Sequence, residues 1–253
     1  MKQYINAIIY GITIVASSIF LGNAYTERVK SIGEIQVTGL GKTDFSSDLI
    51  VWEGEFNSQN IDLKKAYFTL EKNKNNVNEY LVKKGILDKQ LIYSAVKTDK
   101  EFKHIYSSEG KIVGEEFIGY KLTQTIKIES NDVDKIEKVS REITELLNQG
   151  VQFYSESPRY YYTKLADLKI QMISKATQDA RLRAEKIAEF SGGKLGKLES
   201  ARMGIFQITG QNSKETHTWG GAFNTDSRKK SASITMKLNY KVDQDNLSTL
   251  DTK

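Results

Sequence analysis

At 253 residues, with 39% hydrophobic and 27% charged side chains, the chain is long enough to bury a real core, and its composition argues against a wholly disordered polymer. The net charge of +5 comes from Lys and Arg interspersed with Asp and Glu, unlike the one-sided basic surface of a typical nucleic-acid binder. Cysteine is absent, which excludes disulfides, thiolate nucleophiles, Cys-zinc sites and a lipid-modified N-terminal cysteine.

Met1-Lys2-Gln3-Tyr4 precedes an uncharged apolar run from Ile5 to Leu21. That run is longer than the usual apolar region of a signal peptide and sits at the short limit for spanning a bilayer. Gly22-Asn23-Ala24 places small residues at the −3 and −1 positions of a cleavage site after Ala24. Residues 1–24 therefore read either as an excised signal peptide or as a retained N-terminal anchor. Lys2 before the run favours retention of that end in the cytoplasm. Both readings send Tyr25 to Lys253 across the inner membrane, into the periplasm or cell envelope, with residues 25–33 as a linker.

GEIQVTGLG alternates around Ile35 and Val37, and DLIVWEGEF puts Ile50, Trp52 and Phe56 on one face, with Gly54 as a gap. Both predict strands. Asp62 to Lys84 predicts a helix, with Leu63, Ala66, Tyr67, Leu70, Val77, Tyr80 and Leu81 at helical spacing and Gly85 past its end. Leu91 to Val96 predicts a short strand. GYKLTQTIKIES predicts a long one, with Leu122, Ile126 and Ile128 on one face and Thr123, Thr125 and Lys127 on the other.

Asn131 or Asp132 then caps a second helix that reaches Leu147 and ends at Gly150. Val151 to Tyr162 predicts a strand holding the only proline, Pro158, which suggests an edge or a bulge. The longest helix is predicted over Lys164 to Phe190. Its Ala176, Ala180, Ala184 and Ala188 form a methyl stripe for close packing, with Leu168, Met172, Ile173 and Ile187 beside it and Arg181, Arg183, Glu185 and Lys186 outward. The SGGKLG that follows is a helix stop: a phosphate loop precedes its helix, where the free N–H groups are. Two strands, Lys197 to Ile208 and Ser231 to Val242, close the domain around the loop Gly210 to Lys230, and residues 243–253 form a loose tail. The order predicts an α+β fold, a largely antiparallel mixed sheet with three helices packed on it and the N-terminal apolar helix in addition.

Sites for chemistry are sparse. His104 and His217 lie far apart without a metal-ligand spacing, and no Ser sits in G-x-S-x-G. The carboxylate pairs Glu53 with Glu55, Glu115 with Glu116, and Asp132 with Asp134 read as a solvated strand face, a surface loop and a helix cap. Arg228-Lys229-Lys230, the one dense basic cluster, reads as the border of a solvated loop. We assign no catalytic, cofactor-binding or metal-binding residues. The aromatic residues are more pointed. Tyr160 and Tyr162 on the predicted edge strand, and Trp219 and Phe223 around Gly220-Gly221 in the long loop, are candidate contacts with a second subunit or partner. An alternative reading takes Arg159-Tyr160-Tyr161-Tyr162 as a stacking platform for a ligand or for nucleic acid.

I-Q-V-T-G-L-G from Ile35 to Gly41, then Ser47-Asp48, resembles the opening I-x-V-x-G-x-G and Pro-Asp of the SIMPL-domain family, with Ser47 where that family has proline. Gly85-Ile86, Gly119-Tyr120 and Gly150-Val151 fall in matching places, and D-A-R-L-R-A-E-K-I-A from Asp179 to Ala188, followed by Gly192-Gly193 and Leu195-Gly196, is the closest match. The similarity covers residues 34–242. These bacterial envelope proteins include a periplasmic immunogenic protein and oxidative-stress-associated relatives. The resemblance implies a non-enzymatic, exported α+β module, in some members assembled into large rings, with a possible part in envelope or oxidative stress. It supplies no catalytic residues to carry over. The expected partners are further copies of the chain and, if the N-terminal segment is uncleaved, the inner membrane; no nucleic acid, small-molecule substrate, cofactor or metal is expected.

Overall fold

The computed structural model describes residues 2–29, 33–216 and 218–243. His217, part of the 25–33 linker and the tail from residue 244 onward lie outside the described residues. The chain forms two compact units: residues 1–41, 173–204 and 234–253 make one, and residues 42–172 and 205–233 make the other. The 34–242 stretch expected as one domain is thus divided between them.

The larger unit holds a six-stranded antiparallel sheet built on β2 (Leu49–Asn60) and β5 (Ile112–Ser130), which pair from Ile50↔Ser130 to Asn60↔Tyr120. Alternation buries Ile50, Trp52 and Phe56 of β2 with Leu122, Ile126 and Ile128 of β5. Gly54 is the gap the sequence shows, and the Phe153 ring fills it: a Cβ on Gly54 would lie 2.2 Å from Phe153 Cζ. Helix α2 (Leu63–Lys83) starts where the Asp62 carboxylate accepts from Lys64 N at 2.8 Å and Lys65 N at 3.2 Å, satisfying two of the free N–H groups of its first turn. Ala66, Leu70, Val77, Tyr80 and Leu81 bury its inner face, whereas Tyr67 is exposed. Helix α3 (Val133–Glu142) is capped by Asp132, tightens into a 3-10 turn over Ile143–Gln149, and stops at Gly150, whose φ is 76°. That conformation suits a residue without Cβ. Both helices pack in one hydrophobic core with the sheet.

The expected strand over Val151 to Tyr162 is two short strands, β6 (Phe153–Ser155) and β7 (Arg159–Tyr161), which both pair with β2. Pro158 lies in the break, where its missing N–H costs no ladder bond. Leu91 to Val96 shortens to β3 (Leu91–Tyr93). The sequence gives no sign of β4 (Lys97–Tyr106), which forms a hairpin with the first part of β5.

In the smaller unit, β1 (Glu34–Ser46), β8 (Lys194–Met203) and β10 (Lys229–Asp243) are neighbours in the order β1-β10-β8. Strands β1 and β10 and helix α4 (Leu165–Phe190) each contribute residues to both units. The alanine stripe of α4 is fully buried, and Gly39 of β1 lies under it. Ile187, expected beside the stripe, is exposed. Gly192, with φ 78°, closes the helix. The α+β class with antiparallel sheets holds, and its strands form two sheets, of four and six strands.

Helix α1 (Lys2–Val29) is continuous, and its apolar side chains from Tyr10 to Tyr25 are exposed. Among the described residues no helix is long and apolar enough to cross a membrane; the side chains of residues 2–9, the first part of the expected apolar run, lie outside that description.

Candidate partner-contact surface

β9 (Gln207–Gly210) pairs with β10 from Lys230↔Gly210 to Ser233↔Gln207, and the chain between them is the long loop. It is a built element held by buried polar side chains. Gln207 Nε2 donates to Thr218 O at 2.8 Å, and Gln207 Oε1 accepts from Ala222 N at 2.6 Å. A single amide thereby does for both legs of the loop what a neighbouring strand would do. Ile208 N donates to Ala222 O at 2.7 Å and Asn224 N to Ile208 O at 2.9 Å, which docks Phe223 in parallel against β9.

The Glu215 carboxylate accepts from Gly210 N at 2.7 Å, from Asn224 Nδ2 at 2.6 Å and from Ser213 Oγ at 3.2 Å. The Gly210 amide first, then the Asn224 amide, hold its carboxyl below the ordinary range, because these donors stabilise the ionised form. Lys230, read from sequence as part of a solvated loop border, is 2% exposed. Its Nζ donates to Tyr160 O at 2.7 Å and to Asn224 O. Burial pushes the Lys230 ammonium down to about 8. Arg228 is also engaged, with Asp134 at 2.6 Å and Glu137 at 3.2 Å. Arg228 and Lys230 of the basic cluster therefore brace the loop's base, and no hydrophobic periodicity could have announced it.

On this base stands the turn Thr218-Trp219-Gly220-Gly221, closed by Gly221 N donating to Thr218 O at 3.1 Å. Gly221 has φ 91°, and a Cβ there would lie 3.0 Å from Phe206 O and 3.1 Å from Ile205 Cγ2, so both the conformation and the close approach require glycine. The turn leaves Trp219 96% exposed, with Phe223 56% and Ile205 49% exposed. The rings do not fold back over the core.

The tyrosines fall elsewhere. Tyr160 is buried in the core, and its hydroxyl donates to Glu137 Oε1 at 2.7 Å; its ring is a packing residue and presents no face to a partner. Burial first, then the Glu137 carboxylate, pushes the phenol up to about 12. Tyr162 is half-buried with its ring 4.8 Å from that of Phe45. Arg159 is paired with Glu53 at 2.5 Å, beside Glu55 and Glu156 in a cleft of about 330 Å³. Alternation along β7 turns Tyr160 to the opposite face from Arg159 and Tyr161, so the four residues make no common stacking platform. Among the other carboxylates, Asp132 caps α3, and Glu115 lies 3.2 Å from its cross-strand partner His104. The four aromatic candidates thus divide: Trp219 and Phe223 share one exposed turn, and the tyrosines lie in a separate packed strand region.

No curated protein matches the chain. A family model described as SIMPL, a protein of unknown function (DUF541), matches residues 35–242, from the first buried residue of β1 nearly to the end of β10. That span takes in the capped helices, the alanine stripe of α4 and the loop with its aromatic turn. The chain belongs to the SIMPL family.

Proposed function

We propose that this protein is a non-enzymatic, self-associating assembly module of the bacterial cell envelope, exported across the inner membrane and tethered to it or released from it through α1. The observation that carries the assembly reading is the 96% exposure of Trp219 on a turn braced from within. An unconstrained loop could bury such a ring at little cost. This one is held out by Gln207, Gly221 and the Glu215–Asn224–Lys230 network, and indole is a favoured anchor at protein interfaces. The membrane part is supported by α1, where Ile12, Ile14, Val15, Ile19, Phe20 and Leu21 are all exposed. An apolar surface bare on all sides calls for a cover of hydrocarbon or protein.

The test replaces Trp219 and Phe223 together by Ser in the full chain. Light scattering then reports the mass, and a urea melt under dilute conditions reports subunit stability. The proposal expects a smaller assembly with an unchanged subunit melt. An assembly of unchanged mass would remove the contact role.

A further inference from the structure

On the solvent face of the smaller unit's sheet, Arg202 of β8 stands directly opposite Lys237 of β10 in the antiparallel register. Such pairs have their Cβ atoms about 4.5–5.5 Å apart, and like charges there destabilise the sheet. Both side chains are exposed, and among the described residues neither has an ion-pair partner. Two carboxylates lie nearby. Glu34 accepts from Asn239 Nδ2 at 3.0 Å, and Glu199 bridges Lys241 at 2.9 Å. No sequence pattern announces this pairing, because thirty-five positions separate Arg202 from Lys237.

The next cross-strand pair on that face is Asn239 opposite Ser200. Together with Gln36 of β1, these residues line a cleft of about 210 Å³. Asn239 Oδ1 is buried and, among the described residues, has no hydrogen-bond partner. An orphaned buried acceptor is costly, and so is the opposed pair of cations. One ligand relieves both. It needs anionic oxygens for Arg202 and Lys237, and an O–H group to donate to Asn239 Oδ1. Ser200 and Gln36 offer further polar contacts. The volume equals that of about seven waters at ~30 Å³ each, which suits a small polar group and not a nucleotide. A carboxylate or sulfate satisfies the cations but brings no donor.

We propose that this cleft binds a hydroxylated phosphate group, a glycerol-phosphate-like moiety presented either as a free ester or as the headgroup of an anionic lipid. Phosphate oxygens bridge Arg202 and Lys237, and an adjacent hydroxyl donates to Asn239. Glu34 holds the Asn239 nitrogen at 3.0 Å, and a small turn of the amide brings its buried oxygen to the ligand's hydroxyl.

Glycerol phosphate is the probe, added to the full chain in non-ionic detergent at fixed ionic strength, with thermal melting as the readout and sulfate as control. A saturable rise in Tm is expected, larger than with sulfate. Arg202→Gln and Lys237→Gln should each weaken the apparent affinity about tenfold, as loss of one charge-assisted bond implies. Without ligand, each variant should melt at or above the wild type, because the like-charge repulsion is relieved; this also shows that it folds. A parallel vesicle flotation compares phosphatidylglycerol with phosphatidylcholine, taking the difference between wild type and the double variant to subtract insertion by α1. A response to the soluble ester alone assigns a free ligand, and a phosphatidylglycerol preference lost in the double variant assigns the lipid. Equal responses to sulfate and glycerol phosphate, undiminished binding by the double variant, or no response in either arm would overturn the proposal.

Discussion

Gly39 of β1 lies directly beneath Ala180 of α4: a Cβ built on Gly39 would fall 2.4 Å from the Ala180 backbone nitrogen and 2.7 Å from its methyl group. The same atom would meet Ala176 O at 2.2 Å. Helix and strand approach so closely because one side contributes no side chain and the other only methyl groups. Leu40 N donates to Asp179 Oδ2 at 2.8 Å beside this contact, so the start of the DARLRAEKIA segment is fixed to β1 by a polar bond as well as by packing.

Overpacking this contact carries the first prediction. Ala184→Leu adds methylenes to a fully buried position and should cost about 1–3 kcal/mol. Gly39→Ala should also lower the midpoint, since backbone atoms stand in the way. Lys186→Gln, which breaks an exposed pair with Glu189 and an exposed contact over the Phe190 ring, should leave the midpoint of a urea melt unchanged. Equal midpoints for all three would mean the buried face is wrongly placed.

Ser47 gives a second prediction. Its amide donates to Arg228 O at 2.9 Å, while its hydroxyl is buried without a partner among the described residues. The proline that the family resemblance puts at this position has no N–H. Ser47→Pro should therefore destabilise this chain, by about 0.5–1.5 kcal/mol for the lost bond. Ser47→Ala, which removes only an orphaned hydroxyl, should match or exceed the wild type. Denaturant melts of the two variants decide it, and a stabilising Ser47→Pro would show the Arg228 bond to be expendable.

Lys230 makes stability depend on pH in a defined direction. Its ammonium titrates at about 8 in the folded chain against 10.5 ordinarily. Between those values the unfolded chain holds more protons, so this residue's contribution to stability rises with pH across that window and is flat below it. Lys230→Met keeps the stem and removes the titration. It should be destabilised at neutral pH by about 1–3 kcal/mol, because the Tyr160 and Asn224 carbonyls lose their donor. The difference between wild type and variant should then widen in favour of the wild type from pH 8 to 10. Tyr93 and Tyr160, both pushed up to about 12 by burial, oppose this at higher pH, but they are common to both proteins and cancel. Parallel lines over pH 7–10 would mean that Lys230 titrates normally.

Where one face of an element is buried, the fold was legible. The helix over Leu63–Lys83, the alanine stripe and the strand from Gly119 to Ser130 all carry the period of their secondary structure, and Asp62, Asp132, Gly150 and Gly192 mark ends as local chemistry demands. The hairpin of β4 with the start of β5 was not. KTDKEFKHIY is exposed along almost its whole length, and a strand without a buried face has no reason to alternate. The exposed aromatic turn was half legible. Trp219 and Phe223 stood out in polar sequence, but the supports that decide where they point are single residues scattered from Tyr160 to Lys230. The burial of Tyr160 was hidden for the converse reason: an aromatic run on a short strand looks the same whether its rings face a partner or the core.

Acrylamide quenching of tryptophan emission tests Trp219 as a subunit contact without any substitution. The chain has two tryptophans; Trp52 is fully buried and Trp219 is 96% exposed, so the quenchable emission reports Trp219. Measured against protein concentration alongside light scattering, the dilute subunit should show free quenching and red-shifted emission. As the mass rises, the emission should shift to the blue and the accessible fraction should fall. An assembled protein whose Trp219 stays fully quenchable, or a chain that remains a single subunit at every concentration, would contradict it.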